Sequence, residues 1–442
     1  MTVEAADHKN VVIVGGKLLV SRNKLTPASF AGHALANYLA TRVPATYRVI
    51  LIDRSAFALH APAMVRAIVV PGTESRNLTA PITQETVFPA NSRHRVLAPV
   101  AVRELSRTSV TLDTEFEGST ELPFDKCIIA TGATQPHPLR QLAGTSLEDY
   151  RVILRHTQEE LAAAKSVIVV GGGGSGVEIA GELSAHYPDK KVTLVHSRTR
   201  LLQTASQSTN KTWGFSYSPI PERLSSSLEE QLTRRGVDLA LGERLVFPSG
   251  PVQDTEWDGT HSSLGQLKTV TLSSGRTIEA DYVLISTGNI PNSSFVASAD
   301  SGAVSDAGYI IVDHTLRVVP SSTESPLAGE YYSIGDVAAT PGRKAASTAN
   351  MEATALGKLL VAHLTSGKEM GQYSPTRMSG AVICLGQPHE GTDLGAGVYS
   401  FPWIGDVAAP QWILRRMAKD YFVNQTFFAR FVGERKIGPE DG

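Results

Sequence analysis

The sequence is nearly devoid of cysteine: Cys127 and Cys384 are the only two in 442 residues. So far apart, they provide neither a disulfide framework nor a metal cluster nor a Cys-x-x-Cys redox pair, and a reducing, intracellular setting is expected. An excess of either charge is missing too. The 41 Lys and Arg against 43 Asp and Glu leave a formal net charge of −2, which gives no global attraction to nucleic acid or anionic lipid. No run of about 18 consecutive apolar residues occurs, so no spanning helix is expected. Residues Met1 to Lys9 lack an apolar signal core and the Arg-rich character of a transit peptide, and Thr2 stands where N-myristoylation needs glycine. Neither a Ser-His-Asp order nor a His-rich metal spacing stands out among the 12 histidines, and no metal is expected. A soluble globular protein of two or three domains remains, with 42% hydrophobic residues to build its cores.

What is present is an alternation of short β-branched runs with helical patterns, the reading of an α/β chain with parallel sheets. Strands are expected at Val11 to Val14, Arg48 to Ile52, Lys126 to Ala130, Val167 to Val170, Lys191 to Val195, Tyr282 to Ser286 and Tyr331 to Ile334, buried on both faces. Helical periodicity marks Ala31 to Ala40, Gly176 to His186, Leu224 to Arg235 and Ala345 to Leu364. A nucleotide module at residues 154–285 then sits inside a larger one made of 1–153 and 286–368, with 369–442 as a third piece. In that piece Gln411 to Val432 sets Ile413, Leu414, Met417, Tyr421, Phe422, Phe427, Phe428 and Phe431 among Arg415, Arg416, Lys419 and Arg430. Such a stripe either packs on the protein or forms a basic amphipathic surface toward a membrane or lipid-like substrate.

The chain carries a dinucleotide fingerprint twice, once intact and once split. In the intact copy Gly171, Gly173 and Gly176 follow the strand at Val167 and open a helix, as the Gly-x-Gly-x-x-Gly pattern requires. The first glycine permits the tight turn, the second admits a pyrophosphate, and the third lets helix and strand approach. Free N–H groups and the helix dipole favour phosphate there. The next strand ends in His196 rather than in an acid, followed by Ser197, Arg198 and Arg200. Without that acid a 2′-phosphate is not repelled and the arginines can bind it, so NADPH is expected to be accepted alongside NADH; the alternative is that these arginines are solvated loop charges.

The split copy begins at Asn10 to Gly16 and resumes at Ser29 to Leu39. Excising residues 17–28, or equally 16–27 with Ala28 in the variable slot, brings Gly15, Ser29 and Gly32 to the three small-residue positions, and Asp53 ends the next strand where an acid should hold ribose hydroxyls. Residues 17–28 are either an intervening sequence translated in frame or a loop that bulges away and lets the ends meet. The polar stretch Thr204 to Ser218 raises the same question.

Two later segments, Cys127-Ile-Ile-Ala-Thr-Gly-Ala and Tyr282-Val-Leu-Ile-Ser-Thr-Gly-Asn-Ile-Pro-Asn, resemble the Ala-Thr-Gly segments of two-dinucleotide flavoproteins. Tyr331-Tyr-Ser-Ile-Gly-Asp-Val-Ala resembles their Gly-Asp motif. With these five motifs in order, the chain resembles the pyridine-nucleotide:disulfide-reductase-like fold without its disulfide: two Rossmann-like dinucleotide-binding domains plus a smaller C-terminal region. Within it, Gly171 to Glu182, Val192 to Ser197, Leu122 to Gly132, and His60 with Arg66 to Gly72 are similar to the AIF-homologous, ferroptosis-suppressor type of NAD(P)H:quinone oxidoreductases. Those enzymes are relatives of the type II NADH dehydrogenases.

That resemblance implies FAD and NADH or NADPH as cofactors, and a quinone or similar small molecule as acceptor. For FAD it implies Gly15, Gly16, Ser29, Ala31, Gly32, Asp53, Arg54, Arg66, Ala130, Thr131, Gly132, Gly335 and Asp336. For NAD(P)H it implies Gly171, Gly173, Gly176, Glu178, His196, Arg198 and Gly288. Two residues are candidates for catalysis: Glu178 near the nicotinamide and Lys344 near the flavin, where a cation stabilises an anionic reduced ring. Their plainer readings are a first-turn helix acid and an exposed lysine between elements. A redox-signalling protein with little turnover, and a reductase of a small electron-carrier protein, are the competing functions. A cytoplasmic location is expected, with peripheral contact to mitochondrial or lipid-droplet membranes through the C-terminal region.

Overall fold

A computed structural model describes residues 8–15, 30–74, 78–140, 144–203, 213, 220–375, 379–387, 394–401, 403–421 and 433. Its frame is two five-stranded sheets. In the first, the spatial order is Tyr331–Ser333, Lys126–Ile129, Lys9–Val14, Tyr47–Ile52 and Arg95–Leu97, all parallel. The second runs Asp238–Leu241, Lys191–His196, Ser166–Val170 and Thr277–Ile285 in parallel, then adds Ser262–Thr271 as an antiparallel edge. Each strand expected from the sequence is therefore found in one of these sheets.

Both faces of the first sheet are covered, which is why its strands read as unbroken apolar runs. Val11, Ile13, Val49 and Leu51 face a cluster that includes Leu35, Leu39, Leu356 and Leu360 from the helices Phe30–Ala40 and Ala346–Ser366. Gly357 lets these helices approach, since a Cβ there would lie 2.5 Å from Tyr38 Cδ1. Val12, Val14, Ile50 and Ile52 face the opposite way, onto Val102, Leu105, Val110, Leu112 and Leu122 of a small antiparallel sheet. A helix at Leu147–Ala163, capped by the Ser146 hydroxyl accepting from the Asp149 N–H, precedes the second sheet.

The C-terminal piece is an antiparallel sheet of Ser379–Cys384, Gly395–Phe401 and Gly405–Ala408, followed by the helix Gln411–Asp420. It seats on the helix Gly174–His186: a Cβ on Gly181 would lie 2.5 Å from Leu385 Cα. Leu414, Ala418 and Tyr421 turn inward and are buried, while Arg415, Arg416 and Lys419 are exposed. Phe422, Phe427, Phe428, Arg430 and Phe431 lie outside the described residues, as do Gly16, residues 17–28, Ser29 and, apart from Trp213, the stretch 204–218. Among the described residues no helix is long and apolar enough to cross a membrane.

Candidate functional site

At the end of the strand Ser166–Val170, Gly171 turns with φ +115° and a Cβ on it would lie 2.7 Å from Thr287 Cγ2. A Cβ on Gly176 would sit 1.8 Å from Gly171 O, so the helix packs on the turn at a distance only glycine permits. Gly173, the N-cap residue of that helix, has open space where a Cβ would stand. The turn is thus closed behind and open in front, at a helix N-terminus with free N–H groups. His196 lies across it. Its Nδ1 accepts from the Gly172 N–H at 3.1 Å, and burial, its largest influence, holds the imidazole below its ordinary range. The ring is therefore neutral at pH 7, with its proton on Nε2. Arg198 is half-buried beside it, whereas Arg200 pairs with Glu222 at 2.6 Å.

At the first sheet the described glycines are packed closely too. A Cβ on Gly15 would lie 3.3 Å from Asp53 Oδ2, and one on Gly32 would lie 3.3 Å from Ile13 Cγ2 and 3.4 Å from both Ala130 Cβ and Gly15 Cα. Asp53 is buried and its Oδ1 accepts from the Ser55 N–H at 2.8 Å. Half-buried Arg54 follows it. Gly335, at φ +78°, abuts the same helix start: a Cβ there would be 3.0 Å from Ala31 Cβ. Asp336 follows, half-buried, its carboxyl raised by burial against the opposing charges of Lys344 and Arg140.

The segments leaving the two sheets are stapled together. Thr131 Oγ1 donates to Asn292 O at 2.7 Å, Asn292 Nδ2 donates to Thr131 O at 2.8 Å, and Thr134 Oγ1 donates to Asn292 Oδ1 at 2.6 Å. Ala133 and Thr134 pair with Pro291 and Ile290. Gly132 (φ +64°) and Gly288 (φ +86°) flank this junction with nothing within 4 Å of an added Cβ. The Thr131 hydroxyl therefore holds Asn292, a residue the sequence did not single out.

Lys344 Nζ donates to Ala338 O at 2.6 Å and Thr340 Oγ1 at 3.0 Å, and lies 5.5 Å from the Tyr309 ring centroid. Glu352, fully buried, organises this loop by accepting from the Gly335 N–H at 2.6 Å and the Thr340 hydroxyl at 2.5 Å. The sequence does not signal it either, because a glutamate in a helix carries no local mark of such a role.

Glu178 lies in the first turns of the helix behind Gly173. Burial, followed by the charge of Glu182, pushes its carboxyl up to about 8, and its Oε1 accepts a long 3.4 Å bond from the Cys384 N–H. Arg66 donates from Nε to Glu182 Oε1 and from Nη1 to Ala418 O.

Residues 28–353 match the model of the family described as pyridine nucleotide-disulphide oxidoreductase. The chain belongs to that family. Among its relatives, ferroptosis suppressor protein 1 of Xenopus tropicalis is 26% identical over 428 residues, covering 96% of each chain. Fe-regulated protein 8 of Mycosarcoma maydis is 29% identical over 79% of this chain and 83% of that one. A NAD-dependent persulfide reductase from A. fulgidus superposes with a TM-score of 0.60 at 19% identity. It shares the fold over 89% of this chain, which spans 64% of that longer one.

As a member of this family the chain is an oxidoreductase with FAD and a pyridine nucleotide as cofactors. The described residues fit both groups: Gly171 and Gly176 close the turn of the second sheet from behind and it opens at Gly173, while Gly15 and Gly32 meet beside buried Asp53 at the end of the first. The family's disulfide has no counterpart. Cys127 and Cys384 are both buried free thiols, in the first sheet and the C-terminal sheet respectively, and burial pushes Cys384 up to about 12.

Proposed function

We propose that this protein is an NAD(P)H:quinone-type oxidoreductase. One observation carries the reading: the Thr131–Asn292–Thr134 staple joins the exits of the two sheets. The staple thereby ties together the carboxyl ends of the two sets of parallel strands, where such folds bind ligands. Residues 1–153 with 286–368 form the FAD unit in this reading, 154–285 the NAD(P)H unit, and 369–442 the piece that closes over the latter. Bound FAD would supply hydride acceptance from the coenzyme and two-electron delivery to the acceptor.

The chain's own residues bind and orient. Gly15, Gly32 and Asp53 hold the adenosine half of FAD, while Gly335, Asp336, Gly132 and Lys344 line the rest of that site. Gly171, Gly173 and Gly176 seat the pyrophosphate of NAD(P)H. Neutral His196 and Arg198 leave room for a 2′-phosphate, and Glu178 meets the nicotinamide as a hydrogen-bond partner. With no thiol pair to relay electrons, a small diffusible acceptor fits better than a disulfide. Exposed Trp403, Ile404 and Trp412 support peripheral contact with the lipid that dissolves such quinones.

The test is to purify the chain, measure flavin absorbance, and follow NADH and NADPH oxidation with soluble quinones. Turnover with quinones supports the assignment. A chain that binds no flavin sinks it, and bleaching by NAD(P)H without acceptor turnover would show a signalling protein instead.

A further inference from the structure

Glu178 and Glu182 stand one turn apart on the helix Gly174–His186 and so share a face, yet their surroundings differ sharply. Glu182, 2% exposed, gathers two hydrogen bonds and a close cation contact on one oxygen. Arg66 Nη2 lies 2.7 Å from its Oε1, Arg66 Nε 2.9 Å and Tyr421 Oη 2.9 Å. Arg66 Nη1 also donates to Ala418 O at 2.6 Å, and its guanidinium lies 4.9 Å from the centre of the Tyr421 ring. Tyr421 is fixed in turn, its carbonyl bonded by His60 Nε2 at 2.9 Å. Glu178 has no cation bound to it in this way; its Oε1 meets the Cys384 N–H.

We propose that Glu182, Arg66 and Tyr421 are positioning residues that keep Glu178 protonated at the coenzyme turn, so that the C-terminal segment sets the hydrogen-bonding state of the nicotinamide site. The placement of Glu178 at the nicotinamide rests on the function proposed above; the cluster itself does not.

The physical reason is a division of roles between two carboxyls. Arg66 is a single cation, and Glu182, helped by the Tyr421 hydroxyl, takes it. Glu178 then faces the negative charge of Glu182, the distant and already neutralised Arg66, the Cys384 thiol and the Tyr421 phenol, both neutral because burial raises them. An uncompensated carboxylate there is disfavoured, so the proton stays. A protonated Glu178 can donate to an amide oxygen, which a carboxylate cannot, and it adds no charge beside the phosphates.

Glu182→Gln tests this in the flavin-loaded protein with carbon-13-labelled glutamate side chains. In the unaltered protein one carboxyl should titrate near 8 and vanish in Glu178→Gln. In Glu182→Gln, Arg66 is released to Glu178, and that carboxyl should titrate about 1–3 pH units lower. Tyr421→Phe, which keeps the ring and removes one donor, should shift it less. A Glu178 titration that stays put in Glu182→Gln, with the fold intact by circular dichroism, overturns the proposal. NADH and NADPH affinities of the same variants, measured against pH, separate the two readings. If the titration moves as stated but affinity follows neither Glu178→Gln nor the new titration, the cluster stands and the nicotinamide placement falls.

Discussion

Gly32 packs directly on Gly15, although residues 16–31 separate them: a Cβ on Gly32 would lie 3.4 Å from the Gly15 Cα. The two ends of the interrupted fingerprint meet in space. Enlarging Gly32 therefore strikes the proposed flavin site at its support. Gly32→Val forces branched carbons against Ile13 and Ala130, an overpacking that costs about 1–3 kcal/mol. The expected result is a lower melting temperature and loss of bound flavin, read from absorbance after gel filtration. Gly176→Ala is the matching change at the other turn, where the added carbon would lie 1.8 Å from Gly171 O. It should abolish NAD(P)H binding while leaving flavin content unchanged, and equal loss of both cofactors would contradict two separable sites.

Glu352 is the next target, because its two oxygens satisfy the Gly335 N–H and the Thr340 hydroxyl inside the protein. Glu352→Ala leaves both donors buried without partners, each at about 1–3 kcal/mol. Chemical denaturation should show that loss, together with weaker flavin retention. Glu352→Gln keeps one acceptor oxygen and should cost less. Lys344→Met is expected to spare the fold and slow flavin reduction about 10²-fold in stopped-flow absorbance, if its charge serves the reduced ring.

Acid should weaken the first sheet through His94. This buried residue accepts from the Val49 N–H at 2.9 Å on Nδ1, and its Nε2 lies 2.7 Å from Ala40 O. Burial, its main influence, lowers its pKa from 6.5 to about 4. The folded value lies below the unfolded one, so unfolding takes up a proton between them. Stability from neutral His94 is full above pH 6.5 and is lost as pH falls toward 4, at no more than about 1.4 kcal/mol per pH unit. Urea unfolding at pH 7 and pH 5 measures the loss. His94→Gln should be less stable at pH 7 but lose less between the two; an unchanged pH slope would remove His94 from the account.

The parts of this molecule that the sequence displays are those set by backbone demands at one place. Gly171 and Gly176 must be glycine because oxygen and side-chain atoms crowd their Cβ positions, and the strands of the first sheet must be apolar throughout because both faces are covered. The antiparallel strands Ser109–Phe116 and Ser119–Pro123 were not foreseen, since their mixed burial gives no unbroken apolar run. Glu182 reaches Arg66 across 116 positions and Tyr421 across 239. No local pattern announces such a pair, nor that Arg66 clasps the C-terminal helix through Ala418 O.

Coenzyme choice should turn on the end of the strand Lys191–His196. The neutral His196 ring covers Gly172, and half-buried Arg198 is the cation proposed to meet a 2′-phosphate, since Arg200 is paired with Glu222. Arg198→Ala should raise the KM for NADPH about 10–100-fold, the worth of one charged hydrogen bond, and leave that for NADH nearly unchanged. His196→Glu should act in the same direction by restoring a carboxylate opposite the phosphate. Equal effects on both coenzymes would place the 2′-phosphate elsewhere.

The exposed apolar residues of the C-terminal piece give the last prediction. Trp403 is 92% exposed, Ile404 75% and Trp412 67%, the first two at the turn between the strands Gly395–Phe401 and Gly405–Ala408 and the third on the helix that carries Arg415, Arg416 and Lys419. Large apolar side chains left in water beside cations suit an anionic lipid surface, where each contributes about 1.5–3 kcal/mol on burial. Trp403→Ala with Ile404→Ala removes two such contacts without touching the core, so binding to vesicles containing anionic phospholipid should fall about 100-fold or more in co-sedimentation. Oxidation of NADH with a short-chain, water-soluble quinone should be unaffected, because neither residue belongs to the cofactor sites. Turnover of a long-chain quinone held in the vesicles should drop in parallel with binding. Loss of both activities together would point to a folding defect, and retention of vesicle binding would assign the exposed turn to some other contact.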